Sequence, residues 1–437
     1  MKKSIKPQIE TTEVVSKLKP TSRITFYPLI RRCEDGIYIV GRVETGEFIS
    51  LPEVGIQVID NLQDKYNLQE STSLVMDNFG IEIDISTFIE ELANLGFIKE
   101  IDGFSIYVSQ PKLFNFNWLK PQYIYFLFGR TATICYMILV TIAFITLIKN
   151  PQLVPSYQDF FWASSTSLVL AGNTAITIGN IALHELAHLA AARSLDLPVR
   201  ISLSTRLHNL VVQTDVSSLW SVPRRYRYRV YLAGIVWELI FCSTALIVLA
   251  YIPLISLVKG LIKALILTQF FGITWQFYFY MRTDIYFVIQ DLLRCHNLFT
   301  DSLNYLKFCV QKTNRLVFKK RFEKSIVNPL INVPIQEKKK IIAYSWLVLI
   351  GSLISLCVFF TYNLPILIKL LIQACISIWN GIVLWRPKQF LDGLITLLIE
   401  GSIQLVFIIT ILKRYKNHRL SRAKRVSAEI PAKRDTL

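Results

Sequence analysis

The sequence contains few charged residues for a protein of its length. Asp, Glu, Lys and Arg make up 18 % of the 437 residues, whereas 52 % are hydrophobic and the mean hydropathy is +0.41. Soluble globular proteins carry roughly 25 % charged residues. This shortage of charge excludes a wholly soluble protein and predicts a polytopic α-helical membrane protein.

Cysteine is also sparse, and no two cysteines form a Cys-x-x-Cys pair. The seven are scattered, mostly in or near apolar runs: Cys33, Cys135, Cys242, Cys295, Cys309, Cys357 and Cys375. This spacing is typical of reduced, small hydrophobic residues. The first residues, Met1-Lys-Lys-Ser-Ile-Lys, lack an apolar core with a cleavage site. We therefore expect no removable signal peptide and a cytoplasmic amino terminus.

The net charge of +17 is concentrated between the apolar runs. Basic residues gather in Arg224-Arg225-Tyr226-Arg227-Tyr228-Arg229, in Lys319-Lys320-Arg321 and in the tail from Lys413. Basic loops beside membrane spans set their orientation, so this charge is a positive-inside signal rather than a phosphate-binding surface. We expect no nucleic-acid partner.

Apolar runs long enough to span a bilayer, which takes about 20 residues, begin near residue 131. They cover residues 131–148, 164–194, 230–252, 261–281, 341–362, 365–385 and 390–412. The pattern predicts six or seven spans. A domain before the runs and a basic tail after them, both cytoplasmic, require an even number. The run 365–385, which contains Lys369, is the weakest candidate for a full crossing.

Composition divides the chain into six parts. They are a loose amino terminus (1–20), a small α+β domain (21–108), a membrane core (122–300), a basic connection (301–340), carboxy-terminal membrane helices (341–412) and a basic tail (413–437). The small domain has a winged-helix pattern. Its strands are predicted at 24–30, 36–43 and 47–51, three helices follow up to Gly96, and a last strand covers 97–101.

The small domain resembles the PqqD-like domains that recognise precursor peptides of ribosomally made, modified natural products. The resemblance rests on the segment 36–51, with its Thr45-Gly46 turn, and on Glu91-Leu-Ala-Asn-Leu-Gly-Phe-Ile98. It implies that a leader peptide adds as an extra strand to the sheet edge. A DNA-binding winged helix is the alternative, but residues 84–95 include three acidic residues and no Lys or Arg, which favours a peptide.

The segment His184-Glu185-Leu-Ala-His188 lies inside one of the apolar runs. Residues four apart on a helix share one face, so two imidazoles at this spacing can bind one metal ion. Glu185 then lies beside the metal, where a carboxylate can take a proton from bound water. Ionisable residues within a membrane span are costly unless they are paired or functional. The motif therefore predicts a zinc site with His184 and His188 as ligands and Glu185 as the general base.

A catalytic zinc site normally has a third protein ligand. The candidates are Asp284, Glu238, and His208 and Asp215 in the connection after the motif. Asp284 is expected at the same membrane end as the two histidines, which favours it as the ligand. Glu238 is equally able to reach the metal or to support a histidine ring. Asp284 has a second interpretation as a helix N-cap.

The segment from Ile181 to about Leu298 resembles the site-2-protease-like membrane zinc metalloproteases, in the branch described as peptide zinc metalloproteases. Three stretches carry the resemblance: His184-Glu185-x-x-His188, the segment 214–225 leading into Gly234 and Glu238, and Arg282-Thr283-Asp284-Ile285 with Asp291-Leu292-Leu293. The resemblance implies that His184, His188 and Asp284 bind Zn²⁺ and that Glu185 is the base. The third stretch usually reads Leu-Asp-Gly, and Thr283 and Ile285 depart from it.

These interpretations together predict an intramembrane zinc endopeptidase of a bacterial plasma membrane. Its substrate is expected to be a precursor or leader peptide in modified-peptide maturation or export, captured by the amino-terminal domain. The expected partners are that peptide, the lipid bilayer, and a peptide exporter or modification enzymes. Two alternatives are a non-catalytic peptide-binding scaffold or export component, and a regulatory protease of membrane-anchored transcription factors.

Overall fold

The computed structural model describes residues 8–9, 18–106, 116, 118–207, 209–295, 297–318, 327–331 and 333–429. Most of the predicted loose amino terminus, the end of the basic tail, part of the basic connection and the candidate ligand His208 lie outside these residues. The protein is a helical membrane protein with a small amino-terminal region of β-sheet and short helices.

Among its described residues, the amino-terminal region has seven strands and three helices. The strands are β1 (Gln8–Ile9), β2 (Ile24–Phe26), β3 (Ile30–Glu34), β4 (Ile37–Arg42), β5 (Glu47–Leu51), β6 (Ile98–Ile101) and β7 (Phe104–Ile106), and the helices are α1 (Glu53–Gln63), α2 (Leu68–Phe79) and α3 (Ile85–Asn94). Local sequence sets the helix ends. Asn67 and Glu70 form a reciprocal capping box before α2, and Gly80 ends that helix in a left-handed conformation, φ 67°.

The strands form two small sheets that enclose one core with the three helices. One sheet has the order β1-β7-β6-β2, in which only β1 and β7 run parallel. The other is the antiparallel meander β3-β4-β5. Apolar residues at helical and strand spacing fill the space between them, among them Val40, Val58, Ile59, Leu62, Ile89, Leu92, Phe97 and Ile98.

The prediction of one strand over residues 24–30 was wrong. The structure has two strands there, β2 in one sheet and β3 in the other. Pro28 lies between them and has no backbone N–H for a ladder hydrogen bond, which explains the break. The strand predicted at 97–101 is present as β6, and β7 follows it across the Asp102-Gly103 turn.

The remainder of the described chain is mainly helical. The helices are α4 (Pro121–Ile124), α5 (Arg130–Lys149), α6 (Thr166–Arg193), α7 (Arg224–Tyr231), α8 (Ala233–Tyr251), α9 (Ser256–Trp275), α10 (Asp284–Leu293), α11 (Leu298–Phe318), α12 (Ile335–Val358), α13 (Leu364–Val383) and α14 (Pro387–Glu429). Short 3-10 turns cover Tyr125–Phe128, Pro151–Leu153, Tyr157–Phe160, Ser217–Ser221 and Phe279–Met281. An antiparallel hairpin, β8 (Arg200–Arg206) and β9 (Asn209–Asp215), separates α6 from α7.

Six helices in the described part of the chain are long and apolar enough to cross a membrane. They are Arg130–Lys149, Thr166–Arg193, Ala233–Tyr251, Ser256–Trp275, Ile335–Val383 and Pro387–Lys416. The runs 341–362 and 365–385, which the sequence suggests are separate, belong to one helical stretch of 49 residues. Pro365 does not end it, because the π-helical turn Phe359–Asn363 takes up the irregularity just before the proline.

The packing of the amino-terminal core leads to a stability prediction. Ile59 is 0 % exposed, whereas Met76 in the same region is 51 % exposed. We expect Ile59→Ala to destabilise this region by about 2–5 kcal/mol through lost burial and a cavity, and Met76→Ala to change its stability by less than about 0.5 kcal/mol. Hydrogen exchange of α1–α3 in the detergent-solubilised protein measures both. Equal exchange in the two variants would show that Ile59 is not a core residue.

Candidate metal centre

Helix α6 presents the two motif histidines on one face. It runs for 28 residues from the Ser165 cap, whose hydroxyl accepts a hydrogen bond from the backbone N–H of Leu168. His184 and His188 are one turn apart near its carboxy-terminal end, and both are buried. Their rings meet edge to face, with centroids 4.8 Å apart. The sequence spacing thus brings two imidazoles together as predicted.

Asp284 meets both imidazoles at one point. Its Oδ2 lies 2.9 Å from Nε2 of His184 and 3.0 Å from Nε2 of His188, and the two Nε2 atoms are 3.0 Å apart. The three atoms form a nearly equilateral triangle. This is the only group of three His, Cys, Asp or Glu side chains with metal-ligand spacing found among the described residues.

The loop before α10 fixes the position of Asp284. Arg282 adopts a left-handed conformation, φ 58°, and turns the chain into the helix. Gln276 binds this turn twice, because its carbonyl accepts the Thr283 hydroxyl at 2.6 Å and its Oε1 accepts the Asp284 N–H at 3.2 Å. Thr283 is fully buried. The Asp284 carboxylate is therefore not the N-cap of α10, a position that belongs to Thr283.

The charge state of Asp284 suits a metal ligand. Burial opposes its charged form, but the two adjacent imidazoles outweigh that effect and hold the pKa of the Asp284 carboxyl well below its usual range. The carboxylate is therefore anionic at neutral pH.

Oxygen atoms face the second nitrogen of each histidine. The Val230 carbonyl lies 2.8 Å from Nδ1 of His188. Glu238 Oε1 lies 3.0 Å from Nδ1 of His184, at an angle outside that of a regular hydrogen bond. Glu238 thus approaches Nδ1 of the ring, whereas Asp284 approaches Nε2. Glu238 is therefore placed to support the ring and not to join the three ligand atoms. The Val230 carbonyl is an acceptor only, so it favours a proton on Nδ1 of His188 and a free lone pair on its Nε2.

The separations of the three atoms indicate whether a metal cation fits between them. With Nδ1 of His188 protonated, its Nε2 lone pair, Nε2 of His184 and the Asp284 carboxylate oxygen converge within about 3 Å, so a proton or a metal ion must lie between these atoms. Ligands at 2.0–2.1 Å from a tetrahedral zinc lie about 3.3 Å apart, close to the observed separations. Two histidines and one carboxylate are a known catalytic zinc set. The same set binds Fe(II) in oxygenases, so these three ligands are common to both metals.

Glu185 is held by the β8–β9 hairpin. The Thr214 hydroxyl on β9 donates to Glu185 Oε2 at 2.6 Å. One carboxylate oxygen is thereby occupied, and Oε1 is left for another partner. Asp215, the next residue of the strand, instead accepts hydrogen bonds from the N–H and hydroxyl of Ser217. Asp215 is thus placed at a turn and not among the metal-ligand atoms.

Two glycines allow the neighbouring helices to approach the site. A Cβ at Gly234 on α8 would lie 2.3 Å from Cε1 of His184 and 2.4 Å from its Nε2. A Cβ at Gly272 on α9 would lie 2.8 Å from Oε1 of Glu238. Real Cβ atoms do not approach other atoms this closely, so both positions require glycine if His184 and Glu238 keep their places.

Sequence reasoning missed three groups that orient the site. Thr214 and Gln276 are ordinary polar residues, and only the depth of Gln276 in an apolar run distinguished it. The Val230 group is a backbone carbonyl, which leaves no signal in the sequence.

No protein-family model, curated protein or solved structure matches this chain.

The close approach at Gly234 leads to a prediction. Gly234→Ala places a methyl group where the His184 ring lies, so we expect it to lower zinc affinity about 10- to 100-fold, as loss of supporting contacts does at other metal sites. Competition with a chromophoric chelator measures this. Gly179→Ala is the matched control, because no heavy atom lies within 4 Å of that Cβ and its gain in helix propensity is the same. Equal affinities in the two variants would contradict the placement of His184.

Proposed function

We propose that the protein is a membrane-embedded zinc endopeptidase that cleaves a precursor or leader peptide during peptide maturation or export. The convergence of His184 Nε2, His188 Nε2 and Asp284 Oδ2 beside Glu185 carries the proposal. Three atoms at metal-ligand spacing, with a carboxylate at the next position of the same helix, suit hydrolysis better than a purely structural ion, for which four protein ligands are usual.

Each residue of the site has its own role in the proposed hydrolysis. His184, His188 and Asp284 would hold the metal, which when bound supplies a Lewis acid and brings the pKa of a bound water to about 7. Glu185 is the general base and accepts a proton at Oε1, because Thr214 occupies Oε2. Glu238 and the Val230 carbonyl orient the two rings from behind.

The position of the amino-terminal region supports its role in peptide capture. We interpret it as a PqqD-like winged-helix domain whose meander accepts a peptide at its edge. Strands β3, β4 and β5 contact the 3-10 turn Ser217–Ser221, and that turn begins two residues after β9 ends at Asp215. A peptide bound at the meander therefore lies close to the strand that holds Glu185. By the positive-inside rule, we assign this side of the protein to the cytoplasmic face of a bacterial plasma membrane.

Replacement of the base provides the main test. Glu185→Gln keeps the shape of the side chain and the three ligand atoms, so we expect it to retain zinc and to lower the cleavage rate about 10²- to 10⁴-fold. Candidate substrates are precursor peptides encoded beside this gene, incubated with the purified protein and analysed by mass spectrometry. His188→Ala is the matched loss-of-metal control, for which both zinc and cleavage should be lost.

The outcomes separate the proposal from its alternatives. Stoichiometric zinc in the wild-type protein and in Glu185→Gln, with cleavage lost only in the variant, supports the peptidase. Identical behaviour of the two proteins towards the peptide, with or without zinc, would favour a peptide-binding scaffold. Cleavage of a membrane-anchored transcription regulator instead of a precursor peptide would favour the regulatory protease.

A second prediction concerns Thr214. Thr214→Val has nearly the same shape but cannot donate to Glu185, so we expect about 10-fold slower cleavage, the scale of a hydrogen bond to a charged group. Thr214→Ser keeps the hydroxyl and should retain most of the activity. Zinc content should be the same in both. Equal rates for Val and Ser would show that the 2.6 Å contact does not orient the base.

A further inference from the structure

Arg227 joins the amino-terminal region to the metal-site region. Its side chain on α7 is 0 % exposed. Nη2 lies 2.7 Å from Glu34 Oε1 at the end of β3, and Nη1 lies 3.2 Å from Asp291 Oδ1 on α10. The remaining contacts of the guanidinium are the carbonyls of Leu219 and Val222 and the face of the Trp220 ring, 4.5 Å away. A wholly buried cation thus has one anionic partner in each part of the protein.

A second pair of contacts surrounds this cluster at its surface. Asp35, next to Glu34 in the β3–β4 turn, lies 3.1 Å from Arg224 on α7 and 3.2 Å from Arg294 at the end of α10. The Glu34-Asp35 turn therefore contacts α7 and α10 together. These contacts are more exposed than the Arg227 cluster, so they are worth less energetically.

Both contacted helices lead directly to the metal site. On α7, Val230 is three residues beyond Arg227, and its carbonyl faces Nδ1 of His188. On α10, Asp284 is two turns before Asp291 and provides the third ligand atom, about 10 Å away along the helix. Helix α10 has residues in left-handed conformation on both sides, Arg282 with φ 58° and Arg294 with φ 55°.

The energetics of buried charge make this cluster sensitive to Glu34. Removing one of the two carboxylates leaves a buried guanidinium nitrogen without its charged acceptor, which is destabilising. Without the Glu34 carboxylate, Asp291 is the one anionic partner left to Arg227. The amino-terminal region then no longer helps to fix the positions of α7 and α10 relative to each other. A shift of either helix moves a group that defines the metal site.

We propose that the docked amino-terminal region positions the metal site, with Glu34 acting through Arg227 on the Val230 carbonyl and through Asp291 on Asp284. Peptide capture and the geometry of the zinc ligands are then coupled, because both depend on how this region sits on α7 and α10. The inference rests on the proposed metal site, and it adds that the amino-terminal region is a positioning element for that site and not only a tether for peptide.

The test compares two substitutions at Glu34 with one matched control in the full-length protein. Glu34→Gln removes the charge, and Glu34→Arg sets a like charge against Arg227. Glu44→Gln is the control, because Glu44 pairs with Arg42 at 2.6 Å within the same region and is 60 % exposed. Zinc affinity is measured by chelator competition, and amide exchange of α10 is measured in metal-free protein.

We expect Glu34→Arg to weaken zinc binding about 2- to 30-fold, the range typical of coupling between distant sites, and to speed exchange in α10. Glu34→Gln should do the same to a smaller extent, and Glu44→Gln should do neither. Exchange of α1–α3 verifies that the amino-terminal region stays folded; if Glu34→Arg unfolds it, the comparison rests on Glu34→Gln.

Two results would overturn the proposal. In one, the amide protons of the Ser217–Ser221 turn exchange faster in a Glu34 variant, but zinc affinity and the exchange of α10 stay unchanged. The amino-terminal region would then have undocked without an effect on the metal site. The other is continued protection of that turn in the Glu34 variants, since Glu34 would then not control docking. Failure of the proposed function is distinguishable, because a wild-type protein without zinc affinity still reports the coupling through α10 exchange.

Discussion

A helix inside the hydrocarbon core has no water to satisfy its polar side chains, so each of those on α6 needs a partner from another element. Besides the contact between the two histidines, the partners lie outside α6: Trp162 for Asn173, Gln269 for Asn180, Glu238 and Asp284 for His184, and the Val230 carbonyl for His188. The polar face of α6 thus sets how α7, α8, α9 and α10 are arranged around it. The candidate metal centre is the part of this face where Oδ2 of Asp284 meets Nε2 of both histidines.

The segment between α6 and α8 serves three purposes within a short stretch of chain. Thr214 on β9 holds Glu185, Arg227 on α7 contacts the amino-terminal region, and the Val230 carbonyl orients His188. The proposed coupling between the amino-terminal region and the candidate metal centre depends on this proximity. Glu185, His188 and the docking surface all contact a hairpin or a two-turn helix, both of which are too short to be rigid without their partners.

Local patterns in the sequence predicted the parts of the structure that depend on local physics. The spacing of His184 and His188 predicted their shared helix face, and the turn residues and apolar spacing predicted β4, β5 and the three short helices. Asp284 was favoured by its depth. The pairing of Glu34 with Arg227 was beyond such reasoning, because the two residues are 193 positions apart. The continuity of α12 and α13 was also missed, since Pro365 normally ends a helix, and here the preceding π-helical turn accommodates it.

Helix lengths define the depth of the site. Helix α14 is tied to the amino-terminal end of α6 through Asp392, which accepts hydrogen bonds from Ser165 and Ser167, and to β8 through Arg414, which donates to the Thr205 carbonyl. These two anchors are about 33 Å apart along the helix, close to the thickness of the hydrocarbon core. His184 is about 26 Å along α6 from Ser167, so the metal-ligand atoms lie near the boundary at which the β8–β9 hairpin is located. The amino-terminal region docks on that same side, through Glu34 and Arg227. On the proposed function, an extended peptide bound there would approach Glu185 from the aqueous phase, and its backbone would not have to enter the hydrocarbon interior, where unpaired amides are costly.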